Sequence, residues 1–151
     1  MSVDITLGNN GNIVTLSTVD SLLGGAGADI VTLTGVLSNA TVDLAGGADK
    51  LVMANAANIA TLSNIETVIG GTGADTITMG AVLSGASIDL GSGSDVLTLK
   101  DGTNAGTIAN VETLTGGTGA DTLTLSTALT TAKPVKQTPG SASEPTVESG
   151  G

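Results

Sequence analysis

Residues 63–79, SNIETVIGGTGADTITM, carry the pattern that decides the fold. After Asp75, Ile77 and Met79 alternate with Thr76 and Thr78, the period-two pattern of a strand with one buried face. A helix would need a 3.6-residue period, and each interior glycine would cost it about 1 kcal/mol. The stretch therefore reads as strand, Gly-rich turn, strand. It also recurs. GGAGAD at 24–29 and GGTGAD at 70–75 and 116–121 lie 46 residues apart both times. Their flanks repeat in phase, as STVDSLLGG at 17–25, SNIETVIGG at 63–71 and ANVETLTGG at 109–117.

Between these copies stand weaker ones, LAGGADKLVM at 44–53 and LGSGSDVLTL at 90–99. The motif acids are Asp29, Asp49, Asp75, Asp95 and Asp121, spaced alternately 20 and 26 residues apart. LGNNGNIVTL at 7–16 is a degenerate first copy with Asn12 in the place of the acid. Two residues after each marker come Val14, Val31, Leu51, Ile77, Leu97 and Leu123, and seven before come Ile5, Leu22, Val42, Val68, Ile88 and Leu114. Such columns predict an all-β parallel solenoid, a β-roll or β-helix of five to six coils, built on a 46-residue double-coil repeat. One marker per coil predicts a single acidic column along one edge. The extra residues of the longer spacing, around 55–60 and 101–107, read as a bulging loop.

The solenoid pattern spans residues 1–129. Residues 130–151 hold all three prolines, together with Lys133 and Lys136, amid Ser, Thr and Gly, and read as a tail or linker. With 40% hydrophobic residues and no Phe, Tyr or Trp, the core must be thin layers of Val, Ile, Leu, Met and Ala. A net charge of −10, with four Lys and no Arg, excludes nucleic acid and anionic lipid as partners and favours cations. Without Cys or His there are no disulfides, thiolate sites or usual zinc sites. No apolar run reaches the ~20 residues of a membrane-spanning helix, so membrane insertion is not expected. Met1–Gly8 lacks the basic start and apolar stretch of a Sec signal.

The three strong copies fit GGxGxDxUx, and the chain resembles the RTX family of secreted bacterial calcium-binding proteins across most of residues 20–125. The resemblance implies calcium between successive turns, held by turn carbonyls and by the Asp carboxylate. Carried onto this sequence, the site residues are Gly25, Gly27 and Asp29; Asp49; Gly71, Gly73 and Asp75; Asp95; and Gly117, Gly119 and Asp121. The chain departs from that pattern at the third and fifth positions, which are Ala, Thr or Ser rather than Asn or Asp.

Electrostatics leads to the same ion independently. Carboxylates stacked ~5 Å apart repel by roughly 3 kcal/mol per pair at an effective dielectric of 20, and a hard cation with oxygen ligands reverses the sign. The alternative is that each Asp only caps its own turn. Asp20, Glu66 and Glu112 repeat at 46 as well, and read as outward charges or as ligands on a second edge. Regularly spaced acids without Arg, His or an aromatic sugar platform do not make a catalytic pair, so no enzyme activity is expected. A Thr ladder of the ice-binding kind is interrupted by Ile30, Lys50 and Val96. The expected function is a calcium-stabilised structural protein, extracellular or at the cell surface, self-assembling end to end into a filament or surface layer. A phage virion decoration or fibre protein and a module of an RTX adhesin are the alternatives.

Overall fold

The computed structural model describes residues 2–128 and the short strand Thr131–Ala132. The tail expected over 130–151 otherwise lies outside the described residues. Fifteen strands follow one another: β1 Asp4–Thr6, β2 Ile13–Leu16, β3 Ser21–Leu23, β4 Ile30–Leu33, β5 Ser38–Asp43, β6 Lys50–Val52, β7 Ile59–Ser63 and β8 Thr67–Ile69. Then come β9 Thr76–Met79, β10 Ser84–Asp89, β11 Val96–Thr98, β12 Ala105–Ala109, β13 Thr113–Thr115, β14 Thr122–Leu125 and β15 Thr131–Ala132. Odd-numbered strands form one eight-stranded sheet and even-numbered strands a seven-stranded sheet, each paired in parallel in chain order. The chain thus winds through one sheet and then the other for about six turns, a parallel β-solenoid.

Its core lies between the sheets, because alternate residues of each strand point inward. One column runs Val14, Val31, Leu51, Val68, Ile88, Ile108 and Leu125 down the seven-stranded sheet. The facing sheet contributes Ile5, Leu22, Val42, Leu62 and Met79, then Ile77, Leu97 and Leu114. Leu22, Val31, Val42, Leu51, Leu62, Ile77, Ile88, Leu97 and Ile108 are all fully buried. Each contributes about 1.5–3 kcal/mol on removal from water, which makes these layers the main support of the fold. On the outward side of the eight-stranded sheet, Ser21 and then Thr41, Thr61, Thr78, Thr98 and Thr115 pair in register without a break. Ile30 and Lys50, expected to interrupt a Thr ladder, belong to the other sheet.

The coils are shorter than the marker spacing implied. Equivalent positions on successive coils lie 17, 20 or 21 residues apart. One 46-residue unit therefore carries five strands, two and a half coils rather than two. Its β4, β9 and β14 copies alternate between the sheets. For this reason the anticipated column of Val14, Val31, Leu51, Ile77, Leu97 and Leu123 divides, the first three facing one way and Ile77 and Leu97 the other. Nor are 55–60 and 101–107 bulging loops: each is a turn leading into a strand, β7 or β12. The added length of the 20-residue coils falls instead in β5 and β10, six residues each, with register shifts at Ser38/Ala40 and Ser84/Ala86.

Candidate functional site

Each of the strands β1–β14 is preceded by a turn residue, and these turn residues stack into two columns, one on each edge of the rod. Ahead of the even strands stand Asn12, Asp29, Asp49, Glu66, Leu83, Asn104 and Asp121. Ahead of the odd strands stand Val3, Asp20, Leu37, Asn58, Asp75, Asp95 and Glu112. The five motif aspartates are thus split, with Asp29, Asp49 and Asp121 on one edge and Asp75 and Asp95 on the other. The single acidic column expected from the spacing is replaced by two. The odd number of strands in the repeat is the cause.

Within each column the side chain of one coil caps the backbone of the coil before it. The Asn12 N–H donates to Asp29 Oδ1 at 2.8 Å, that of Asp29 to Asp49 Oδ1 at 2.7 Å, and that of Asp49 to Glu66 Oε2 at 2.8 Å. On the opposite edge Asn58, Asp75 and Asp95 donate in the same way to Asp75, Asp95 and Glu112, at 2.8, 2.7 and 2.7 Å. The Asn104 N–H reaches Asp121 Oδ1 at 2.9 Å. These aspartates therefore cap the neighbouring coil rather than only their own turn. Glu66 and Glu112, expected as outward charges or second-edge ligands, are rungs of the ladder, and Asp20 accepts the Val3 N–H at 2.7 Å.

Asn58 and Asn104, which lie outside the GGxGxD motif, are fully buried members of the same columns. Asn58 Oδ1 accepts from the Leu37 N–H, while its Nδ2 donates to the carbonyls of Ala54 and Ala56 and to Asp75 Oδ1. Asn104 repeats this with Leu83, Lys100, Gly102 and Asp121. Asn12 donates likewise to Gly8, Asn10 and Asp29. The signal was present, since Asn12, Asn58 and Asn104 themselves lie 46 residues apart.

The glycines named with the aspartates have two tasks. A side chain on Gly25 or Gly27 would strike the backbone of the preceding coil at Gly8 or Gly11. Gly71 (φ +97°), Gly73 (φ +118°), Gly117 (φ +80°) and Gly119 (φ +130°) occupy backbone conformations that L side chains rarely adopt.

Asp29, Asp49, Asp75 and Asp95 are each at most 1% exposed. Burial pushes the Asp49, Asp75 and Asp95 carboxyls above the usual aspartate range. The charges of Glu66 and Asp29 add to this at Asp49, and those of Asp75 and Glu112 add to it at Asp95. Burial acts the same way on Asp29, but hydrogen bonds from Asn12 and Gly25 outweigh it and hold that carboxyl below its ordinary value. A second difference accompanies the first. The remaining carboxylate oxygen, Oδ2, is buried without a hydrogen-bond partner at Asp49, Asp75, Asp95 and Asp121.

A buried, unpartnered carboxylate oxygen is the kind of donor a hard cation takes up, together with carbonyls of a turn. In that respect the residues present fit calcium. The acids run along the axis instead of converging, and among the described residues no three acidic side chains surround a common point. Any ion would therefore meet one Asp carboxylate per turn. A cleft of about 90 Å³ beside Glu66, Val82 and Ser84 is far below the ~300–1,000 Å³ of small-molecule pockets. Among the described residues no helix is long and apolar enough to cross a membrane. No protein-family model, curated protein or solved structure matches the chain.

Proposed function

We propose that this chain is a non-enzymatic structural protein, a β-solenoid stabilised by calcium at its turn aspartates and stacked end to end on further copies of itself. The observation that carries the reading is the set of four buried carboxylate oxygens lacking partners, on aspartates whose other oxygen caps the preceding coil. Calcium bound there would offset both the desolvation of the carboxylates and their mutual repulsion along each edge. The family resemblance of the GGxGxD turns points the same way. On this reading the protein works outside the cell or on its surface, where calcium is abundant.

End-to-end stacking is supported by the outer coils. Ile5, Leu7, Val14 and Leu16 at one end of the described solenoid, and Leu123 and Leu125 at the other, are only partly buried, whereas their counterparts inside are sealed. A further coil in register would cover these layers and extend both parallel sheets. A head-to-tail contact between unlike ends builds a filament rather than a closed dimer.

Electron microscopy and light scattering with calcium, and then with excess chelator, test the proposal. The expected result is rods growing in calcium and shortening or dissolving in chelator. A monodisperse monomer under both conditions would overturn self-assembly, and rods indifferent to chelator would overturn the calcium part.

A further inference from the structure

The turns of the two columns differ at the residue four places before the turn acid or amide. At Asp49, Asp75, Asp95 and Asp121 that residue is Ala45, Gly71, Gly91 or Gly117, with φ of +67°, +97°, +86° and +80°. These are the same four turns whose Oδ2 has no partner. A left-handed φ rotates the preceding peptide and turns its N–H away from the carboxylate. At two of the turns its new acceptor is visible, because Ala45 and Gly91 donate instead to Asp43 Oδ1 and Asp89 Oδ1, each at 3.0 Å. At Asp29 the equivalent residue, Gly25, has no left-handed φ, and its N–H reaches Asp29 Oδ2 at 3.5 Å. At Asn12, Asn58 and Asn104 the side-chain amide supplies the donor itself and satisfies two turn carbonyls.

We infer that only Asp49, Asp75, Asp95 and Asp121 hold a divalent cation, and that the Gly25 N–H and the three asparagine amides exempt the other turns. The inference rests on the calcium reading above and sharpens it. Internal donors decide which turns need an ion, so possession of the GGxGxD string does not. GGAGAD at 24–29 carries the full motif yet holds none, while the weaker copies at Asp49 and Asp95 hold one each. Asp43 and Asp89 act as positioning residues that keep two of the four sites free of a competing N–H. The ions would alternate between edges in step with the five-strand repeat, Asp49 and Asp121 on one side and Asp75 and Asp95 on the other.

Equilibrium dialysis against calcium chloride, with native mass spectrometry of the full chain, reads the stoichiometry directly. Four ions per chain are expected. Asp29→Asn should leave the count at four, while Asp49→Asn, Asp75→Asn, Asp95→Asn and Asp121→Asn should each lower it to three. Circular dichroism establishes which variants keep their strand content, and the wild-type count decides the matter even if one does not fold. Calcium bound at any count other than four, or a site lost in Asp29→Asn, would overturn this assignment and leave the calcium reading standing. A wild-type chain that binds no calcium would overturn both.

Discussion

The turn ending at Asn58 and the turn ending at Asp75 are adjacent rungs of one column, and they close the same kind of bend by different means. Asn58 brings its own donor. Its Nδ2 meets the Ala54 and Ala56 carbonyls at 3.0 and 2.7 Å and the Asp75 carboxylate at 2.9 Å, and the turn needs no glycine. Asp75 brings a charge and an oxygen with nothing to bond to, and its turn relies on Gly71 and Gly73 in left-handed conformations. The first turn is complete within the chain. On the calcium proposal the second is completed from outside, so that one rod would contain rungs that depend on the medium beside rungs that do not.

Four experiments break or sharpen this contrast. Removal of calcium should have the largest effect. An ion at about a hundred times its dissociation constant stabilises by about 2.7 kcal/mol per site, so chelation should lower the urea midpoint by the sum over the Asp turns. A midpoint unmoved by chelator would erase the distinction. Next, Asn58→Ala should cost roughly 3–5 kcal/mol, since it strands the Leu37 N–H and the Ala54 and Ala56 carbonyls. Most of that loss should persist in chelator, because the Leu37 N–H and the turn carbonyls are not part of the ion sites, and a loss that vanishes without calcium would show that Asn58 acts only through Asp75.

The pH dependence of the metal-free chain comes third. Asp49, Asp75 and Asp95 have folded values above their unfolded one. Each therefore contributes stability that is fully present below the ordinary aspartate value of 3.8 and is lost as pH rises through its raised folded value. Asp29, with a depressed value, works in the opposite sense: its contribution is present above 3.8 and is lost as pH falls through the folded value. Urea midpoints in chelator should thus rise on acidification from neutral pH towards that region. A midpoint that falls instead would mean that the Asp29 pattern prevails in all the turns. The smallest effect is expected at Ala45, whose left-handed φ the next repeat assigns to Gly91. Ala45→Gly should relieve about 1–2 kcal/mol of backbone strain and give back about 0.5–1 kcal/mol in unfolded-chain entropy, for a small net gain in urea midpoint.

Much of this architecture was legible in the residues. Alternation around Ile77 and Met79 and the 46-residue recurrence lead to a parallel solenoid, because strand period and repeat interval are local quantities written in the chain. The number of strands per repeat was not legible. It depends on which segment hydrogen-bonds to which, and the strong motif recurs only after five strands. The spacing of Asn12 and Asp29, 17 residues, was the true coil length, but beside the conspicuous 20- and 26-residue intervals it looked like an irregular first copy. Glycines mark the aspartates in the sequence, whereas Asn58 stands among Ala54, Ala56 and Ala57, which mark nothing. The partners of the carboxylates could not be read at all, since an acid on one coil meets an amide that lies 17 or 20 residues before it.

An odd number of strands per repeat also governs how such a chain can change length. Duplicating one 46-residue unit would keep the aliphatic layers continuous and the ladder unbroken, yet everything beyond the duplication would swing to the far side of the rod. Duplicating two would restore the original facing. Growth by single units is therefore neutral for folding and drastic for whatever the surface displays, whereas growth in pairs lengthens the rod and leaves its display unchanged.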